Sequence, residues 1–208
     1  GSKLINVLST EFILETVDAH RKLKYTQKFM NNMSVVEKPI IVPYKGLPYT
    51  QITFKPDLPR FGMVKLSDND TIQLMRKRAY DLAACTSKEV TVSYNNEKLE
   101  IKTFERYVDL YSGSRSTCKR IYMTVNSDWE IAVCASPDNT FEHVSFVNGI
   151  CTYRGGKHVD HAATIISGRL SKYAMENKKG MGSITAKTVK DNMWIFINTT
   201  MVNPRFDT

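Results

Sequence analysis

The stretch FEHVSFVNGICTYRGGKHVDH, residues 141–161, decides how the rest of the chain is read. Phe141 to Ile150 ends in an apolar run that fits a buried strand. Gly155-Gly156 follows, and a glycine tolerates a positive-φ turn that few other residues adopt. His158-Val159-Asp160-His161 then opens a helix, with Asp160 in the first turn, where the helix dipole favours an anion. That helix is expected from about Val159 to Glu176, and Met193–Thr199 reads as a last strand.

Working back from this stretch, Arg120–Val125 and Trp129–Ala135 read as two more strands. Strands first and a crossing helix afterwards predict an α+β sandwich, one sheet with helices on one face. Thr103 is placed to cap a short helix whose Phe104, Tyr107, Val108 and Tyr111 are spaced to face inward. The small polar run SGSRST, residues 112–117, leads out of it. Before it, Glu89–Tyr94, Asn95-Asn96 and Lys98–Lys102 predict a hairpin with an Asn-Asn turn.

The first 86 residues follow a different pattern. Leu4–Leu8 is a short apolar turn or helix, and strands are expected at Glu11–Thr16, Lys24–Met30, Pro39–Pro43 and Tyr49–Phe54. Taken together they read as one antiparallel meander. A helix follows, with Ser67 as N-cap, Asp70 completing a capping-box-like pair and Asp68 favouring the positive end. Ile72, Met75, Ala79 and Leu82 give it a core-facing stripe, while Arg76, Lys77 and Arg78 read as a solvated face. The pattern changes near residues 86–88, the expected module boundary.

The chain has 208 residues, enough for one large domain or parts of two. Its 42% apolar and 24% charged residues are ordinary globular composition. No run approaches the roughly 18 apolar residues of a membrane span. No charged-then-apolar signal segment opens the chain, so a soluble, unsecreted protein is expected. Lys and Arg total 29 against 21 Asp and Glu, a net of +8, which points towards polyanions such as nucleic acid. Arg169, Lys172, Lys178, Lys179, Lys187 and Lys190 face only Glu176, giving six minus one, or +5, in 22 residues. Such lysines either complement a helix end or contact DNA phosphates without reading sequence.

Catalytic chemistry is not evident. Cys85, Cys118, Cys134 and Cys151 form no C-x-x-C pair and read as free thiols in a reducing compartment. Cys151, His158 and His161 would be three metal ligands without a fourth, so no metal is expected. Ser145 lacks the sharp Gly-x-Ser-x-Gly elbow of a nucleophile, and no P-loop occurs.

Several strings, in order, cover nearly the whole chain: STEFILET (9–16), NNMS (31–34), YTQITFKPDLPRFGM (49–63), RAYDLA (78–83), YVDLY (107–111), SFVNGICTYRGGKHVDH (145–161), then MWIFIN and NPRFDT near the end. Together they resemble the ATPase region of eukaryotic-type DNA topoisomerase II. The resemblance implies that residues 1–86 are the rear half of the nucleotide-binding sandwich shared by gyrase, the heat-shock chaperone, histidine kinases and MutL. Residues 87–208 would be the transducer, similar in fold to a ribosomal-protein domain and cut before the family's Gln-Thr-Lys loop. It further implies ATP and magnesium for the intact enzyme, double-stranded DNA as substrate, a homodimer, no membrane and a nuclear location.

For individual residues the resemblance implies ATP-binding roles for Gly1, Ser2 and Lys3, at the end of the phosphate loop, and for Thr50, beside adenine. Ser2 stands where alanine is usual. Lys178, Lys179, Lys187 and Lys190 would contact DNA. The family's general-base glutamate, magnesium-binding asparagine and adenine-binding aspartate lie upstream of these residues, so no catalytic residue is expected in this chain, and the chain alone should be inactive. A MutL-like repair ATPase, or a nonenzymatic basic module that binds nucleic acid, are the alternatives.

Overall fold

β-strand alternation in the first quarter of the chain produces a sheet with one polar face. The computed structural model describes residues 1–66, 68–177 and 184–206. Ser67, expected as a helix cap, and Lys178 and Lys179 lie outside the described residues. The chain divides into two compact units, Gly1–Ile72 and Gln73–Thr208.

In the first unit, α1 (Ser2–Val7) leads into β1 (Ser9–Asp18), followed by β2 (Leu23–Met30), β3 (Val35–Val36), β4 (Ile40–Pro43) and β5 (Thr50–Pro56). β1 pairs antiparallel with β2 on one side and with β5 on the other. β3 and β4 share the far edge of β2. The expected meander is therefore corrected: the last strand crosses back to β1. β1 offers a long free edge, whereas β4, from Ile40 to Pro43, has only four residues with which to continue the sheet. Glu11 sits between Lys28 at 2.6 Å and Lys55 at 3.0 Å, and Glu15 meets Lys24 at 3.2 Å, so the polar face is stitched by charge. On the opposite face Phe12 and Phe29 meet edge to face at 6.0 Å.

The second unit takes in most of α2 (Asn69–Cys85). Asp81, Ala83 and Ala84 are the covered residues of α2, while Ile72, Met75 and Leu82 of the expected stripe are exposed. Asp68 accepts from the amides of Asp70 and Thr71 at the helix start. The Asn95-Asn96 turn is present with both residues at positive φ, 51° and 64°, but it joins strands of only two residues, β6 (Ser93–Tyr94) and β7 (Glu97–Lys98). α3 (Phe104–Ser112) begins at Thr103, whose hydroxyl accepts from the Arg106 amide at 3.3 Å. It buries Phe104, Tyr107 and Val108, as its spacing requires, and leaves Tyr111 partly exposed.

The main sheet comprises β8 (Arg120–Asn126), β9 (Trp129–Ala135), β10 (Glu142–Val147), β11 (Ile150–Cys151) and, after α4 (Lys157–Asn177) and α5 (Ala186–Asp191), β12 (Met193–Thr199). Strand order is β11-β10-β12-β9-β8. β10 and β12 run parallel, and α4 with α5 supplies the long crossover that a parallel pair needs. The expected single strand 141–150 is split, because Asn148-Gly149, at φ 51° and 73°, makes a tight two-residue turn. Asn148 also ties the turn to the chain's end, with its side chain donating to Met201 O at 3.0 Å and accepting from the Met201 amide at 2.8 Å.

Helices cover both faces of this sheet, not one. Phe196, Ala132 and Phe146 pack with Phe104, Tyr107 and Val108 of α3 and with Ala84 of α2. Ile195 and Ile197, on the other side of the same strand, pack with Val159, Ala162 and Ala163 of α4. A strand sandwiched in this way is apolar at successive positions, which MWIFIN is.

Candidate functional site

The residues singled out for nucleotide lie in the first unit. Gly1 is the N-cap of α1, and Ser2 and Lys3 form its exposed first turn. The far end of α1 is pinned: Ser9 Oγ donates to Ile5 O at 2.6 Å, and Asn32 donates to Val7 O at 3.0 Å. Thr50 opens β5, opposite Thr16 in the register, with their hydroxyls 2.8 Å apart. Thr16 is seven residues along β1 from Ser9, roughly 20 Å at strand rise, so Thr50 lies far from the point where α1 joins the sheet. Beside it, Tyr49 donates to Glu15; that bond pushes the phenol up to about 12 and, with Lys24, holds the Glu15 carboxyl below its usual range. Thr50 is exposed and shares its face with Ile52 and Phe54, also exposed.

The fold-deciding stretch builds a polar chain in the second unit. Ser145 Oγ reaches His143 Nδ1 at 3.3 Å and Thr152 Oγ1 at 2.6 Å, and Thr152 Oγ1 meets His158 Nε2 at 3.1 Å. Gly155 and Gly156 run through positive φ, 74° and 141°, and a Cβ on either would come within 3.1–3.2 Å of the His143 or His158 ring. Burial lowers the pKa of both rings, with the His143 charge adding to the effect on His158 and Asp160 opposing it. His158, in the first turn of α4, is thus hydrogen-bonded to Thr152. Among the described residues no group of three His, Cys, Asp or Glu is placed to hold a metal.

The expected solvated face of α2 is a correction too. Lys77 Nζ lies 2.8 and 3.0 Å from the two carboxylate oxygens of Asp81, which is 1% exposed. Tyr107 donates to the same carboxylate at 2.6 Å and meets the Tyr111 hydroxyl at 3.0 Å. Arg78 donates to Gly149 O at 2.7 Å, so α2 grips the Asn-Gly turn. An open groove of about 360 Å³ runs past Lys77, Tyr80, Tyr107 and Tyr111. Asp81 and Tyr107 lie inside the RAYDLA and YVDLY strings, yet an acidic residue on a basic helix face gives no sign of burial by itself.

Of the basic residues proposed to meet DNA, Lys187 is exposed in the first turn of α5, behind the Thr185 cap. Lys190 Nζ is 3.5 Å from Asp160 and 4.9 Å from the centre of the Phe141 ring. No helix of the described residues is long and apolar enough to cross a membrane.

The sheet with its parallel crossover, preceded by the Gly-Gly turn and the Asn148 anchor, has known counterparts. The DNA gyrase B family profile matches residues 86–208. The chain belongs to the DNA gyrase B family. Within that family it is similar to the probable DNA topoisomerase 2 of Dictyostelium discoideum, 42% identical over 100% of this chain and 14% of the relative. It is also similar to human DNA topoisomerase 2-alpha, at 40% over 100% of this chain and 14% of the relative. The chain thus spans about one-seventh of the length of these curated relatives.

Among solved structures, the ATPase region of Saccharomyces cerevisiae topoisomerase II matches with TM-score 0.87 and 41% identity, over 99% of this chain and 52% of that chain. The ATPase and transducer domains of Balamuthia mandrillaris DNA topoisomerase II match with TM-score 0.89 and 38% identity, again over 99% and 52%. The 43K ATPase domain of Thermus thermophilus gyrase B, at 19% identity and TM-score 0.62, shares the fold. The α+β architecture and the family resemblance read from the strings are both borne out.

Proposed function

We propose that this chain is part of the ATP-operated gate of a type II DNA topoisomerase, an isomerase that passes one DNA duplex through a transient break in another. The observation that carries this reading is the match along 99% of the chain to the ATPase region of yeast topoisomerase II, at 41% identity and TM-score 0.87. Residues 1–86 would be the rear of the nucleotide-binding domain and residues 87–208 the transducer that relays nucleotide state. The intact protein would use ATP with Mg2+, act on double-stranded DNA as a homodimer, and work in the nucleus.

The residues in hand suit a share of a nucleotide site. Thr50 offers an exposed hydroxyl already oriented by Thr16, as hydrogen bonding to a purine edge requires. Lys3 brings an exposed cation to the first turn of α1. Gly1, which has no side chain, and Ser2, which has a small one, precede it. Lys178, Lys179, Lys187 and Lys190 would touch DNA phosphates, and the exposure of Lys187 supports it more directly than the Asp160-paired Lys190. Replacing one phosphate-bound lysine by alanine should lower the salt slope of duplex binding by about 0.9, equally for unrelated sequences.

The test is a chimera. This chain replaces the matching segment of intact yeast topoisomerase II, and ATP-dependent relaxation of supercoiled DNA is measured. Retained relaxation that weakens on Thr50→Ala supports the reading. A folded, dimeric chimera with no ATP-dependent strand passage overturns it.

A further inference from the structure

We infer that the groove lined by α2 and α3 is a second ligand site, one that takes a nucleobase carrying a phosphate, as in a free mononucleotide or an unpaired base of a nucleic-acid strand. The groove holds about 360 Å³, with Gln73, Arg76 and Tyr80 from α2 and Tyr107, Leu110 and Tyr111 from α3 along it. Small-ligand sites usually occupy roughly 300–1,000 Å³. All of these residues belong to the second unit. Gly1, Ser2, Lys3 and Thr50 belong to the first, so the groove shares no residue with the nucleotide site proposed above.

Part of the groove is rigidly built. Tyr107 is 1% exposed and donates to Asp81 at 2.6 Å. Burial pushes the Tyr107 phenol up, so that proton stays in place at neutral pH. With the proton committed, the 3.0 Å contact between the two hydroxyls requires Tyr111 to donate to Tyr107. The Tyr111 oxygen then has only lone pairs left, to be met by a ligand donor. Its ring is held edge to face by Trp194 and Phe196, at 6.2 and 5.8 Å between ring centres. A wall fixed in advance spares a ligand the cost of ordering it.

The two neighbouring cations differ in what they have left to offer. Lys77 is committed, 2.8 and 3.0 Å from the Asp81 oxygens and 5.2 Å from the centre of the Tyr153 ring. Arg76 is exposed, and its guanidinium carbon lies 5.6 Å from the centre of the Tyr80 ring. Among the described residues it forms no ion pair, and Glu97 acts on it only from beyond ion-pair distance. A planar fork of N–H donors in that condition matches a phosphate in two parallel bonds.

Gln73 precedes Arg76 by three positions, on the same face of α2. Its side-chain amide is bonded to no other described residue. Such an amide meets the donor and acceptor on the edge of adenine in two bonds. Tyr80, Tyr111 and the exposed Leu110 supply ring and apolar surface against which a base stacks. A simple aryl carboxylate would use Arg76 and the rings, and leave Gln73 and the Tyr111 oxygen unmatched.

The test cross-links the 208-residue chain with azido-AMP under light and maps the adducts by mass spectrometry. Adducts are expected on peptides covering residues 73–80 and 110–111, and unmodified AMP should compete them away. Calorimetry then separates the parts of the ligand. Adenosine and ribose phosphate should each bind at least about fivefold more weakly than AMP, the scale of one stacked base or one charged hydrogen bond. Arg76→Gln should weaken AMP about tenfold and leave adenosine unchanged, with the same denaturant midpoint, because Arg76 is exposed. A single-stranded oligoadenylate that blocks the same adducts at lower concentration than AMP assigns the base to a nucleic-acid strand, and the reverse order assigns it to the free nucleotide. The cross-linking of the unsubstituted chain needs no variant to fold. Adducts confined to residues 1–7 or 50, equal affinity for inorganic phosphate and AMP, or no competed adduct overturns the inference.

Discussion

Strands β12 and β5 are each seven residues long, and they live in different surroundings. β12 is buried at Met193, Ile195, Phe196, Ile197 and Thr199, with α3 on one face and α4 on the other. β5 is exposed from Thr50 to Lys55 and is paired along one side to β1. The second unit therefore supplies its own two-sided core. The sheet of the first unit is held chiefly by backbone pairing and by lysine–glutamate crossings, with Phe12 and Val17 as its buried hydrophobic residues among those described. Solvent-screened ion pairs of that kind contribute little each. The comparison teaches that these two sheets, similar in strand count, differ in what keeps them folded.

The largest effect should come from the two-sided core. Phe196→Ala should cost about 3–5 kcal/mol, because closely packed neighbours on the α3 face cannot collapse into the space. Phe12→Ala should cost less, about 2–3 kcal/mol, since the open sheet around it can relax. Urea unfolding measures both. Equal losses would break the comparison.

Next in size is Asp81→Ala, which removes the shared partner of Tyr107 and Lys77. The destabilisation should be about 2–3 kcal/mol, the usual range for hydrogen bonds to a charged group. It should appear in the unfolding of the second unit. A denaturant midpoint within error of the parent would show that the carboxylate does not hold α2.

Gly156→Val should cost about 1–3 kcal/mol, from a side chain forced into φ 141° and against His158. An unchanged midpoint would show that the turn accepts a Cβ. A smaller, pH-dependent effect comes from the rings around this turn. His143 and His158 are both held below their usual value of 6.5 by burial. The unfolded chain therefore takes up protons on them at higher pH than the folded chain does. Stability should fall as pH drops through 6.5 towards the lowered folded values, and be fully present above that window. Replacing both histidines by glutamine should flatten this slope in denaturant midpoints collected across the window. An unchanged slope would assign the acid sensitivity to other groups.

Much of the second unit was legible, and the physical reasons are specific. The long helix and the last strand announce themselves because a glycine pair, an acidic first turn and an unbroken apolar run all point the same way. Asn148-Gly149 was equally readable as a turn, but the apolar residues on both sides masked it. The unbroken apolar run of β12 also carried the sign that helices lie on both faces. Strand pairing in the first unit was not readable, since local alternation marks a strand and does not name its neighbour. Asp81 was hidden for a related reason: a carboxylate between basic residues reads as a surface charge until Tyr107, 26 positions away, is brought against it. For the nucleotide-related residues, the sequence strings named positions, and the fold adds only that Thr50 is exposed and paired with Thr16.

Amide hydrogen exchange on the intact 208-residue chain tests the difference between the two sheets most directly. Exchange protection follows the free energy of local opening, so a two-sided core should hold its amides until the unit unfolds. The slowest amides should be those of β9, β10 and β12, with the covered turns of α2 around Asp81 close behind, while β4 and β5 exchange far faster. Protection of β5 equal to that of β12 would contradict the account.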